Sequence, residues 1–149
     1  MSNETEARSP MQALLSGLRF AMALGMLTLA PIMLLPPEWF GMENMTPEQL
    51  QVALLGPNPP QLVDVRTDVE YARGHIKGAV PWPVHRLLFH LSALGGDKER
   101  DVVLICLSGH RSRLGGLGLR MVGYRHVINL TGGMHAWKKA GLPMTQSTD

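Results

Sequence analysis

In the run Asp101-Val102-Val103-Leu104-Ile105, four consecutive residues are apolar, without the alternation of a strand that keeps one face in water. Such a run reads as a strand buried on both faces, as in a parallel sheet covered by helices. Gln61-Leu62-Val63-Asp64-Val65 and His126-Val127-Ile128-Asn129-Leu130 read as further short strands. Helical segments separate the three. The pattern predicts an α/β domain with a mainly parallel central sheet flanked by helices.

Helix boundaries are marked by capping residues. Thr46, Pro47 and Gln49 form an N-cap, a first-position proline and the third residue of a capping box, so a helix starts there and ends by Gly56. Thr67 and Glu70 repeat the box for a brief helix that Gly74 closes. Pro81 and Pro83 mark a loop. Val84, Leu87, Leu88, Leu91 and Leu94 have helical spacing up to Gly95-Gly96. A helix is expected over 113–122 with Gly123 as its C-cap, and a last one over 134–140.

Between the strand at 101–105 and the helix at 113–122 lies Cys106-Leu107-Ser108-Gly109-His110-Arg111-Ser112, with the chain's one cysteine. Unpaired N–H groups of such a loop and of the first helical turn converge there, and the helix dipole makes the point electropositive. That setting favours the thiolate, the nucleophilic form. Arg111 adds a planar fork of donors suited to an oxyanion. A cysteine at a strand end can also be a small buried hydrophobe, but the polar loop, the arginine and the helix start favour a site.

One cysteine allows no internal disulfide and no Cys-based zinc site. It also leaves no resolving cysteine, so cargo on Cys106 must pass to an outside acceptor. From Met45 onward, 12 Lys/Arg stand against 8 Asp/Glu. That excess is too mild, and the chain too poor in aromatics, for a nucleic-acid binder, but it suits small anionic substrates. His75, His85, His90, His126 and His135 show no ligand spacing on a common face, so no metal is expected.

Residues 1–44 stand apart from a domain expected over 45–149. Residues 11–35 are almost wholly apolar and carry one charge, Arg19. Three readings compete: a membrane anchor, long enough at about 20 apolar residues; a signal peptide with a poor cleavage junction at Pro31; and a helix belonging to the soluble domain. Arg8 and Arg19 precede the apolar core and Glu38 and Glu43 follow it, which leans toward an extracytoplasmic domain. A cleaved signal would give an exported soluble protein, and a domain helix a cytoplasmic one. Residues 36–41 read as a linker, whose Trp39 and Phe40 suit a membrane interface or packing on the domain.

Three signatures then fall in the order of one family. Asp64-Val65-Arg66 with Glu70-Tyr71 and Gly74-His75-Ile76-Lys77-Gly78-Ala79, the loop from Cys106 to Ser112, and Leu130-Thr131-Gly132-Gly133-Met134-His135-Ala136-Trp137 with Gly141-Leu142-Pro143 together resemble the rhodanese domain. The resemblance spans about Thr46 to Pro143. It implies a sulfurtransferase in which Cys106 takes sulfane sulfur from a small anionic donor such as thiosulfate, as a persulfide and without a cofactor. Cyanide, a thiol or a protein cysteine would then accept the sulfur. The amides from Leu107 through Ser108, Gly109 and His110 to Arg111 would cradle the anion, with Arg111 on the donor's sulfonate.

The family's phosphatases and arsenate reductases use a longer loop, Cys-x5-Arg, whereas Cys106 to Arg111 spans six residues. That length favours sulfur chemistry. A membrane-tethered persulfide relay or docking module, with little activity on free thiosulfate, is the alternative. Asp64 and Arg66 are read as a structural ion pair fixing loops, and Ser112 as support for the cysteine loop. His110 is expected in solvent, Arg113 and Arg120 as helix charges, and Trp82 and Trp137 in or beside the core. Oligomeric state is left open.

Overall fold

In the computed structural model the described residues are 37–89 and 97–146, together with Met11, Gln12, Leu15 and Arg19. The chain divides into two compact units, Met1–Leu34 and Leu35–Asp149. The second unit thus starts ahead of the boundary expected between residues 44 and 45. Apart from those four residues, the apolar segment 11–35 lies outside the described residues, as does the helix expected beyond Phe89. Among the described residues no helix is long and apolar enough to cross a membrane.

The second unit is organised on a five-stranded sheet: β1 (Glu43–Met45), β2 (Gln61–Asp64), β3 (Val80–Pro81), β4 (Val102–Ile105) and β5 (Val127–Leu130), in spatial order β1-β5-β4-β2-β3. Every pairing is parallel. The three expected strands are its centre. The edges differ from expectation. β1 takes up Glu43-Asn44-Met45, pairing Asn44 with Asn129, and Met42 just before it is buried. β3 lies in the stretch read as a proline loop, with Pro81 tolerated because the strand is at an edge.

The helices are α1 (Pro47–Leu54), α2 (Asp68–Ala72), α3 (Val84–Phe89), α4 (Arg111–Met121) and α5 (Gly133–Lys139). Both capping boxes form as expected, at Thr46–Gln49 and Thr67–Glu70. Residues 37–40, read as linker, form a 3-10 turn. α4 begins at Arg111 rather than at residue 113, so Arg111 and Ser112 belong to its first turn.

Strand pleating divides the core into two faces. Val102, Leu104 and Cys106 point to one side with Val63, Val65, Leu87 and Leu119. Val103 and Ile105 point to the other with Leu62, Ile76, Met134 and Trp137. Each fully buried large side chain of this kind contributes about 1.5–3 kcal/mol by leaving water. Cys106 continues the strand's inward phase, and this brings its side chain under α4. Gly115 and Gly116 of α4 allow the close approach. A β-carbon on Gly115 would lie 3.0 Å from Leu87 Cδ2 and 3.5 Å from Leu104 Cδ1, and one on Gly116 would overlap the Met42 thioether.

Candidate active site

Cys106 follows the last residue of β4, at the carboxyl end of the parallel strands, where open α/β sheets place ligand sites. The four residues after it form an irregular loop that ends on the first turn of α4. The cysteine is fully buried. The backbone N–H of Gly109 donates to its Sγ at 2.9 Å, a contact that favours negative charge on sulfur. Gly109 reaches it with φ +92°, a conformation open to glycine at little cost. His110, at the N-cap of α4, makes no side-chain cap. The amides of the first turn are therefore not taken up by a capping side chain.

The loop is clamped from behind. The N–H groups of Met134 and His135 donate to the carbonyls of Cys106 and Leu107 at 2.8 and 3.1 Å. This approach depends on Gly133, where a β-carbon would overlap the Cys106 carbonyl and lie 2.9 Å from that of Leu107. Gly133 also has φ +55°. Gly133 is thus the close approach that fixes the back of the cysteine loop.

Leu107 is half-buried, Gly109 buried, and Ser108 and His110 exposed. Ser108 Oγ and His110 Nδ1 lie 3.0 Å apart, bonded to each other. Ser112 is fully buried in α4, and its hydroxyl has no hydrogen-bond partner among the described residues. Asp64 and Arg66 form the expected structural pair. The Arg66 Nε and Nη2 donate to both Asp64 oxygens, Nε at 2.9 and 3.0 Å and Nη2 at 2.6 Å, while Nη2 also donates to the Gly74 carbonyl at 2.8 Å. Both residues are buried, and the pair ties the end of β2 to the loop after α2. Trp137 is fully buried, and Trp82 packs beside the cluster that holds Cys106.

Arg111 is the main surprise. It carries a two-point ion pair, Nη1 to Glu70 Oε2 at 2.9 Å and Nη2 to Glu70 Oε1 at 2.7 Å. The guanidinium holds the Glu70 carboxyl well below the usual range, at about 2, against a smaller opposing effect of burial. In return the pKa of Arg111 is raised, first by the hydrogen bonds to Glu70. In the sequence Glu70 is fully accounted for as the capping residue of α2, so its second role 41 residues away has no local signal.

On the β5 side of the loop lies a cavity of about 470 Å³, lined by Ser108, Gly109, Arg113, Asn129, Thr131 and Asn44. Asn129 Nδ2 donates to Asn44 Oδ1 at 3.0 Å. Sequence reading assigned neither asparagine to the site. A larger cavity of about 670 Å³, lined by Leu62, Ile76, Trp137 and Pro143, opens by the amino end of β2, away from the cysteine.

The chain resembles known proteins in sequence and in fold. A family model described as a rhodanese-like domain matches residues 46–140. A sulfurtransferase of Allochromatium vinosum is 40% identical over 97 residues, covering 65% of this chain and 89% of that protein. The thiosulfate sulfurtransferase GlpE of Pseudomonas aeruginosa is 29% identical over 96 residues, covering 64% and 84%. The chain spans 47% and 24% of the length of two further curated relatives. The crystal structure of a rhodanese-like domain protein from Staphylococcus aureus superposes with a TM-score of 0.63 at 33% identity, covering 72% of this chain and 100% of that one.

Proposed function

The chain belongs to the rhodanese-like domain family, and from that premise we propose that it is a sulfurtransferase working through a persulfide on Cys106. The observation that carries the reading is the Gly109 N–H directed at the sulfur of a buried cysteine at the head of α4. In the proposed cycle the Cys106 thiolate attacks the outer sulfur of thiosulfate or a similar donor. The donor's S–S bond breaks, and sulfite leaves with the electron pair. Cyanide, a thiol or a protein cysteine then attacks the bound sulfane sulfur and returns the thiolate. The Gly109 amide would serve thiolate and persulfide anion alike. No cofactor enters the cycle, and the acceptor comes from outside because the chain has one cysteine.

The test is the intact mass of the purified full-length chain after incubation with thiosulfate, beside Cys106→Ser. The expected result is a gain of one sulfur atom on the wild type alone, removed by cyanide. A titratable thiol that gains no sulfur from thiosulfate overturns thiosulfate as the donor. Hydrolysis of a phosphate ester with no sulfur adduct would instead favour the phosphatase chemistry that the six-residue loop argues against.

A second reading, a persulfide relay or docking module with little activity on free thiosulfate, is favoured by one observation. Arg111, the residue expected to grip the donor, is already held by Glu70. We further propose that residues 11–35 tether the domain to a membrane on its extracytoplasmic side. The near absence of charge in that segment and the arginines ahead of it support the proposal. Membrane fractionation with and without alkaline wash tests it: release of the chain by alkali, or its recovery in the soluble fraction, overturns the anchor.

A further inference from the structure

Both members of the Arg111–Glu70 pair are tethered. Arg111 is the first residue of α4. Glu70 Oε2 accepts from the backbone N–H of Thr67 at 2.9 Å and from its hydroxyl at 2.7 Å, within the cap of α2. The side chains are 31% and 26% exposed, so small ions can reach the pair. The loop that begins with Cys106, just after β4, ends at Arg111 on the first turn of α4.

We propose that Glu70 is a specificity-determining residue: by occupying the guanidinium of Arg111 at two points, it turns the site away from donors that carry a sulfonate and toward persulfide donors that carry none. This rests on the sulfurtransferase reading above. Thiosulfate brings two negative charges and releases sulfite, so its binding gains from a free cation. Here it meets a pair of zero net charge, and recruiting Arg111 requires breaking two charge-assisted hydrogen bonds. A persulfide R–S–SH needs no such grip. The Cys106 thiolate attacks its terminal sulfur, the S–S bond breaks, the thiolate RS⁻ leaves with the electron pair, and Cys106 keeps S–SH. Solvent screening of a partly exposed pair keeps the discrimination modest.

The experiment measures the rate of sulfur loading on Cys106 by intact mass over a range of donor concentrations. The donors are thiosulfate and N-acetylcysteamine persulfide generated in situ, and the proteins are the full-length wild type, Glu70→Gln and Thr67→Val. Glu70→Gln keeps an acceptor for the α2 cap and removes the charge. It is expected to lower the half-saturating thiosulfate concentration by about three- to tenfold, and to raise the preference for thiosulfate over the persulfide by a similar factor. Thr67→Val weakens the cap but keeps the pair, so it shifts the melting temperature and not the preference. Glu70→Asp, too short to hold both nitrogens and the cap at once, should move the preference the same way by less. A half-saturating concentration that is unchanged or higher in Glu70→Gln overturns the proposal, as does an equal shift in Thr67→Val. Loading of the wild type from neither donor overturns the sulfurtransferase reading itself, and this proposal with it.

Discussion

Gly133 stands against the peptide that follows Cys106 so closely that a β-carbon would lie 2.8 Å from the Leu107 carbonyl carbon. The two N–H bonds from Met134 and His135 to the cysteine loop exist because this position has no side chain. Gly133→Ala is therefore expected to force α5 off the loop and to impose strain at φ +55°. The expected cost is about 2–4 kcal/mol in denaturant titration, with sulfur loading of Cys106 reduced more than stability alone accounts for.

The buried Asp64–Arg66 pair should respond asymmetrically. Asp64→Asn leaves the Arg66 charge, 3% exposed, without its counter-ion. The expected loss is about 3–5 kcal/mol. Replacing both residues by apolar ones of similar size should cost less than either single change, which a double-mutant cycle would read.

The acid limb of stability should carry the signature of Glu70. Its carboxyl titrates near 4.5 when free and at about 2 in the folded chain, held there by Arg111. A lowered folded value stabilises the fold fully above the unfolded pKa, and the contribution disappears as pH falls through the folded one. Between pH 4.5 and 2 the wild type should thus lose about 1–2 kcal/mol, a figure reduced for solvent screening. Glu70→Gln should lack this component in denaturation curves measured across the same range.

Ser112→Ala should change stability by less than about 1 kcal/mol, because the hydroxyl is buried and meets no partner among the described residues. A loss well beyond that in thermal denaturation would show that the hydroxyl supports the loop, the role expected from the sequence.

How much could be read in advance follows physical lines. β2, β4 and β5 were legible because strands buried on both faces must be apolar, and both helix caps because their chemistry is local. β1 was not. Glu43-Asn44-Met45 has no strand pattern, and pairing with β5, 85 residues on, makes it one. β3 was hidden by its proline. At the site, the cysteine loop stood out through the strand–loop–helix order, but nothing local singled out Gly109 as the residue whose N–H reaches Cys106 Sγ. Gly115 and Gly116 of α4, unfavourable by helix propensity, are explained by Leu87, Leu104 and Met42. The Glu70 partner of Arg111 and the closeness of Gly133 to the loop are tertiary relationships between segments each already accounted for locally.

The sheet order has a further consequence for how the protein is made. Among the described strands β1, which precedes the other four in the chain, neighbours only β5, the last of them, and the clamp on the cysteine loop comes from α5, later still. A nascent chain that has just exposed Cys106 has a thiol but not yet the backbone that shapes it. The loop around that thiol gains its backbone clamp only once residues 133–135 have docked, when the domain is nearly whole.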